Sequence, residues 1–426
     1  MSNPEQQGAD EYINADEVAE EVIQDVDGAE PIDEDDMIEG GVQEIDPQND
    51  DDDDYDDDND VIEIDMSNNS WTYFDDHKDS IFKIAGHPKL PVVVTGGGDN
   101  VAYIWTTHLQ PPKIISTITG HTESVIAGGF TNDGDYVITG DMTGKVIIYK
   151  SFKKGQLWKL HGEVETVEEI TWIDIHPTQP VFAFGATDGS VWVYQISPEI
   201  TQIMSGFSHS TECTSGKFVN TGDMDNLQLL TCSEDSSIIQ WNCFANEQTF
   251  KFQSTDYKGE VPPWVSIAVE NDLNIAALGS RDGSLFVYNT KSGNIIDFFK
   301  AIELKEDQDI FDASIEALSW CAGLSILAVG LVSGDLFFFD AKTWKLRRSI
   351  KFSDAITKVE FVNKGHILIV SCLNGKIYKL DVREGKELFI GTGHNMGVLD
   401  FVVQDNGNKL ITAGDEGVSL IFKTDN

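Results

Sequence analysis

The stretch FAFGATDGSVWVY (182–194) reads as two short strands joined by a tight turn at Asp188-Gly189. Apolar and small residues flank a dipeptide that suits a hairpin turn. The same plan returns in GGGDNVAYIW (96–105), LLTCSEDSSIIQW (229–241) and LGSRDGSLFVYN (278–289). Eight turn residues can be aligned along the chain: Asp99, Thr143, Asp188, Asp235, Asp282, Ser333, Asn374 and Glu416. Six positions after each stands a residue that closes an apolar strand: Trp105, Tyr149, Tyr194, Trp241, Tyr288, Phe339, Leu380 and Phe422. The turns are 44, 45, 47, 47, 51, 41 and 42 residues apart. A period of about 40–45 residues with strands on both sides of each turn is that of a four-stranded propeller blade. Eight repeats predict an all-β chain folded as an eight-bladed β-propeller.

Each hairpin leaves room for one strand before it and one after. In the first repeat Ile81 to Ile84 reads as the inner strand a, Val92 to Thr95 as strand b and Val101 to Trp105 as strand c. The uncharged run ALSWCAGLSILAVGLVSG (317–334) approaches membrane-spanning length. It aligns with the repeat and is broken by Gly323, Ser325 and Gly330, so it reads as blade strands. Phe422 closes strand c of the last blade four residues before the end of the sequence, leaving that blade without an outer strand d. The alternation Ser70-Trp71-Thr72-Tyr73-Phe74 precedes the first blade and has no place in it. A ring of blades closes when one terminus supplies the missing strand, which also hides open sheet edges. Residues 70–75 are therefore expected to complete the last blade and to bury aromatic side chains among Trp71, Tyr73 and Phe74. The chain divides into a tail, 1–65, and a propeller, 66–426.

The tail holds 28 of the 73 acidic residues and none of the 29 Lys and Arg; the first basic residue is Lys78. Asp50 to Asp54 and Asp56 to Asp58 are almost continuous aspartate. Such a segment buries too little apolar surface to offset its ordering entropy, and is expected to be disordered. Val18, Val22 and Ile23 would line one face of a helix around residues 15–24, too short to be stable alone. The remaining chain still carries 45 acids against 29 bases. That balance argues against direct nucleic-acid binding, which needs clustered Lys and Arg, and favours a basic protein as partner. The acidic N-terminus has no apolar h-region, so neither a signal peptide nor a membrane role is expected. The five cysteines, Cys213, Cys232, Cys243, Cys321 and Cys372, include no CxxC pair and read as small buried side chains in a reducing cytoplasmic or nuclear setting.

Two blades carry a four-residue set typical of WD40 repeats: His before strand a, Thr on strand b, Asp in the b–c turn and Trp on strand c. They are His77, Thr95, Asp99 and Trp105, and His209, Thr231, Asp235 and Trp241. His121 with Thr139, and His394 with Thr412, are partial versions; His161 also reads as lying before a strand a. An active site occurs once, whereas these sets recur, so they are expected to be structural networks that satisfy buried polar groups. The histidines have no metal-ligand spacing, Gly96-Gly97-Gly98 lacks the phosphate-loop pattern, and no nucleophile elbow or kinase signature is present. The reading is of a non-enzyme with no cofactor and no metal, acting as a monomer.

The acids of the propeller are more informative. The d–a loops and b–c turns of such a fold open on one face. Asp79, Glu123, Glu168 and Asp354 stand two residues before a strand a, with Glu212 close to that place. Glu316 lies just inside strand a of the sixth blade, and Glu234 and Asp415 precede the turn residues of the fourth and eighth. Arg281 is the clear basic exception. The candidate client-binding set is Glu123, Glu168, Glu234, Glu316, Asp354 and Asp415.

DMSNNSWTYFDDH (65–77), GGGDNVAYIW (96–105), FAFGATDGSVW (182–192), ASIEALSW (313–320), GHNMGVLDF (393–401) and ITAGDEGVSLIF (411–422) closely resemble a family of fungal WD-repeat ribosome-assembly chaperones. The animal relatives are the angio-associated migratory cell protein group. The resemblance covers residues 65–426. It implies a dedicated chaperone for a large-subunit ribosomal protein of the L10 family, whose basic N-terminal segment is captured during or soon after synthesis on the acidic face. It implies client contact at Glu123, Glu316 and Asp415, and an indirect link to ribosomes or precursors of the 60S subunit. A WD-repeat scaffold of a signalling or degradation complex and a chaperone of another basic client, such as a histone, are the alternatives that composition leaves open.

Overall fold

The computed structural model describes residues 67–223, 225–304 and 308–424. The acidic tail and the helix face around Val18, Val22 and Ile23 lie outside them. Among the described residues there are eight four-stranded antiparallel sheets and no α-helix. In seven of the sheets the strands follow in chain order, as hairpin connections require. The inner strands are Ile81–Gly86, Val125–Phe130, Ile170–Ile175, Ser215–Val219, Trp264–Glu270, Ile315–Cys321, Ile356–Phe361 and Val398–Gln404. Each touches the next and the last touches the first, so the eight form a closed ring around a channel. The uncharged run at 317–334 is split between the strands Ile315–Cys321 and Ile326–Leu331 of one blade.

The core lies between blades, where the face of one sheet packs on the next. The small residues at the ends of the b strands make this close approach possible. Trp172 slots between Gly185 of its own blade and Gly216 of the next, where an added Cβ would come within 2.3 Å and 2.1 Å of the indole. Its Nε1 donates to the Cys213 carbonyl at 2.9 Å, which fixes the ring in that slot. All five cysteines are buried and free.

The eighth sheet is built differently. Its order is Thr72–Phe74, Ser419–Lys423, Lys409–Gly414 and Val398–Gln404, so its outer strand comes from the other end of the propeller sequence. Thr72 and Phe74 face inward, and Phe74 stacks on Trp105 with ring centroids 4.6 Å apart. Strand alternation turns Tyr73 outward, 55% exposed, and Trp71 is half-buried beneath the Lys423 ammonium. Of the three aromatics among which buried side chains were expected, Phe74 is the buried one.

The His–Thr–Asp–Trp sets form hydrogen-bonded relays. In the first blade Trp105 Nε1 donates to Thr95 Oγ1 at 3.1 Å, His77 Nε2 meets the same oxygen at 2.9 Å, and His77 Nδ1 reaches Asp99 at 3.0 Å. The Asp99 carboxylate can only accept, so His77 Nδ1 carries the proton between them; in the neutral ring Nε2 then accepts from the Thr95 hydroxyl, whose oxygen accepts from the indole N–H. The fourth blade differs from the expected tetrad. Ser237 stands between His209 and Asp235: His209 Nδ1 meets Ser237 Oγ at 2.6 Å, and its distance to the carboxylate is 3.9 Å. In the second blade the acid is Asp141, at the end of strand b, which meets His121 at 3.0 Å, while Thr143 donates its hydroxyl to that carboxylate. In the eighth, Glu416 meets His394. His161 is no member of the series. It lies within the outer strand Leu157–Glu165, its Nε2 3.0 Å from the Ile196 carbonyl oxygen.

These relays make stability depend on pH. Burial of Asp141 opposes its charge, but hydrogen bonds from His121, Thr143 and two backbone N–H groups outweigh it and bring its pKa to about 2. A carboxylate with a depressed folded pKa stabilises the fold above its unfolded pKa, near 3.9, and that contribution is lost as pH falls toward 2. The acid-induced loss of stability between pH 5 and pH 2, read from melting curves, should shrink in Asp141→Asn by an amount on the order of 2 kcal/mol. Parallel melting curves of the two proteins across that range would remove Asp141 as a contributor.

Candidate binding face

One backbone hydrogen bond recurs in every blade and sets the geometry of the loop face. The N–H of the first b–c turn residue donates to a carbonyl at the foot of strand a, one residue before the strand in seven blades and three before it in the fourth. The pairs are Gly98–Ser80, Met142–Ser124, Thr187–Glu169, Glu234–Glu212, Arg281–Pro263, Val332–Ser314, Leu373–Ala355 and Asp415–Gly397, at 2.8–3.4 Å. This ring defines equivalent positions around the channel mouth: the turn residue, the two loop residues before strand a, and the first residues of strand a.

On these positions seven of the eight blades carry an acid: Asp79, Glu123, Glu168 with Glu169, Glu212 with Glu234, Glu316, Asp354 and Asp415. Glu123, Glu168 and Asp354 are exposed in d–a loops. Glu316 is exposed on strand a, where the Ser314 hydroxyl donates to it at 2.5 Å. Asp415 is half-buried on its turn and accepts from Ser80 Oγ at 2.7 Å, across the seam between the eighth and first blades. Glu234 forms an ion pair with Arg281 of the next blade at 2.5 Å. The six candidate residues thus share one face, with Glu234 tied to a base.

Glu169 and Glu212 join that face without having been in the set. The bond from Glu234 N to Glu212 O gives Glu212 the equivalent place in the ring, although the strand Ser215–Val219 begins three residues later. Burial raises the Glu212 pKa, and the charges of Glu234 and Glu169 add to the shift while Arg281 opposes it. Glu165, Glu168, Glu169, Thr187 and Asp188 line a depression of about 570 Å³ on the same side. Three lysines at this end of the sheets are already paired: Lys145 with Glu163, Lys300 with Asp282, and Lys351 with Asp335, at 2.6–3.0 Å. The ring acids therefore keep most of their charge uncompensated by neighbours.

Charges further down the inner strands are paired too. Lys83 and Lys358 both hold Asp400, at 2.7 Å and 2.9 Å, and Lys217 holds Asp174 at 2.6 Å. Burial works against the Asp400 charge, but the two lysines keep its carboxyl well below the usual range. No cluster of three or more potential metal-ligating His, Cys, Asp or Glu is found among the described residues. The face offers an anionic surface with hydrogen-bond acceptors, suited to a cationic segment.

Repeat, relay and ring together define a WD-repeat propeller. The family model "WD domain, G-beta repeat" matches residues 68–106 and 112–150. The chain is 45% identical to the ribosome assembly protein SQT1 of Saccharomyces cerevisiae over 368 residues, spanning 82% of this chain and 85% of that protein. The crystal structure of S. cerevisiae Sqt1 superposes with a TM-score of 0.82 at 47% identity, covering 85% of this chain and all of that one. The Chaetomium thermophilum Sqt1 structure bound to the N-terminus of ribosomal protein L10 superposes with a TM-score of 0.75 at 29% identity, covering 84% of this chain and all of that one. Human angio-associated migratory cell protein is 25% identical over 352 residues, 80% of this chain and 77% of that protein. The chain belongs to the Sqt1 family of ribosome assembly proteins.

Proposed function

We propose that this protein is a chaperone for a ribosomal protein of the L10 family, which it captures by a basic N-terminal segment and holds for assembly of the 60S subunit. The observation that carries the reading is the ring of acids on seven of eight blades around one channel mouth. The partner class is supported by the Chaetomium Sqt1 relative bound to the L10 N-terminus. A ribosomal protein is basic because it must bind RNA, and off the ribosome that charge invites wrong partners. An acidic ring shields it and speeds capture by electrostatic steering. Ribosomal RNA, competing for the same basic groups, would release it. Client contact is assigned to Glu123, Glu168, Glu316, Asp354 and Asp415, with Glu234 reached only in exchange for Arg281. The action is binding rather than catalysis: the His–Thr–Asp groups are committed to the relays between strands. We place it in the cytoplasm, where such a client is made.

The test is a titration of the full chain against a labelled peptide of the N-terminal segment of the L10-family protein, read by fluorescence anisotropy. Saturable one-to-one binding that weakens with salt is expected, and a peptide with its basic residues replaced by alanine should not bind. Absence of saturable binding even at low salt would remove the reading.

A further inference from the structure

The blades are not interchangeable around the channel mouth. Among the positions fixed by the backbone ring, the blades numbered 7, 8, 1 and 2 in chain order present a run of apolar side chains. These are Leu373 on the turn of blade 7, Met396 and Leu399 in the loop and inner strand of blade 8, Phe82 on the inner strand of blade 1, and Ile126 and Met142 on blade 2. Four are large and open to solvent: Phe82 (37%), Met142 (41%), Leu373 (41%) and Met396 (50%). Blades 3 and 4 carry only Thr and Glu on the turn, Thr187 and Glu234, and in the loop, Glu168, Glu169, Thr211 and Glu212. The other exposed apolar side chains of this face, Phe207, Val261, Ile310 and Phe311, lie further back in the d–a loops, before the positions that meet the turns.

The apolar residues are adjacent across seams, and acids flank them. Leu373 lies against the backbone next to Met396: a Cβ on Gly397 would fall 2.7 Å from Leu373 Cδ2. The N–H of Leu373 bonds to Ala355, the neighbour of Asp354, and the N–H of Asp415 bonds to Gly397. Asp354 and Asp415 thus stand on either side of Leu373 and Met396. Asp79 and Glu123 occupy the corresponding loops of blades 1 and 2. Exposed apolar side chains rimmed by like charge are a mark of a docking surface for a ligand that is apolar at its centre and oppositely charged around it.

We propose that this arc is a seat for one apolar side chain of the bound segment, with the basic residues before and after it meeting Asp354, Asp415, Asp79 and Glu123. The inference rests on the proposed function and sharpens it. The recognised ligand is an extended peptide with an apolar residue between basic ones, rather than any polycation. Because the seat occupies one side of the ring and blades 3 and 4 offer acids and threonines, the segment lies across the mouth in one direction. An even ring of acids would accept every basic tail in the cell; an apolar requirement adds a term that other polycations fail to satisfy.

The test uses two synthetic peptides of equal charge, one with leucine between pairs of arginines and one with serine in its place. Both are titrated by fluorescence anisotropy against the full chain, against Leu373→Ser/Met396→Ser and against Asp354→Lys/Asp415→Lys. The parent should bind the leucine peptide about tenfold more tightly, the scale of burying one aliphatic side chain. The double serine variant should bind both peptides equally, at the parent's affinity for the serine peptide. Its melting temperature should be unchanged, since both side chains are exposed. Equal affinity of the parent for the two peptides, with both weakened by the acid reversals, overturns the seat and leaves the proposed function standing. If the acid reversals weaken neither peptide, the ring is not the binding surface and both readings fall.

Discussion

A chain lacking residues 1–76 should melt far below a chain lacking residues 1–65. The shorter deletion removes a segment whose sequence supplies no core. The longer one removes Thr72–Phe74, the outer strand that pairs with Ser419–Lys423. It exposes the edge of the eighth sheet and uncovers Trp105, against which Phe74 stacks. Losing the Phe74 side chain alone costs roughly 3–5 kcal/mol, the range for truncating a buried phenylalanine. Phe74→Ala in the full chain should therefore reproduce much of the fall, whereas Tyr73→Ser, at an exposed position of the same strand, should stay within about 0.5 kcal/mol of the parent. Calorimetry of the four proteins checks this. Equal melting of the two deletions would mean that the strand adds nothing to the ring.

Simultaneous reversal of Glu123, Glu316 and Asp415 to lysine should nearly abolish capture of the basic segment while leaving the propeller folded. Each reversal removes an attraction and adds a repulsion, and exposed pairs are worth about 0.2–1 kcal/mol apiece. Three reversals together should lower affinity by about a hundredfold at low salt. The side chains are exposed or half-buried on loops and at the channel mouth. The Ser80 hydroxyl keeps the Asp415 carbonyl as acceptor, and the buried Ser314 hydroxyl loses its one carboxylate acceptor, a cost confined to a single hydrogen bond. Glu387→Lys, on the outer strand Lys386–Gly391 of the seventh blade, is the control and should leave affinity unchanged. A control loss of one third of the triple variant's in free energy, equal per charge reversed, would show that net charge alone matters and that no defined site exists.

The fold could be read from the chain because turn chemistry repeats. Small or polar turn residues at regular spacing, followed by glycine in six of the eight repeats and then by an apolar strand, mark hairpins whatever the rest of the sequence does. Details that depend on register or on neighbouring blades were harder to read. Glu212 enters the ring through a backbone bond to Glu234, and a count back from the strand misses it by one residue. Asp141 was hidden because a threonine occupies the aligned turn position and the acid sits two residues earlier, inside the strand. His161 looks like a loop residue in sequence because it sits at the bulge of the outer strand, between the pairs Ile148–Gly162 and Tyr149–Leu160, and the strand runs on to Glu165. The pairing of Glu234 with Arg281 joins residues 47 positions apart in sequence, and only the ring brings them together.

The seam between the eighth and first blades has a bearing on synthesis. There the Ser80 hydroxyl bonds to Asp415, 335 residues further along the chain. At about 5–20 residues per second, the ribosome needs roughly 20–70 s to make that stretch. Through that interval Ser80 and the strand Thr72–Phe74 have been made, while Asp415 and the strand Ser419–Lys423 that pairs with Thr72–Phe74 have not. A chain cut short by damage or a premature stop can fold several blades yet cannot complete the ring of acids, because Asp415 belongs to its last sheet. The geometry thus acts as a completeness check, and a truncated product lacks the closed face needed to hold a client.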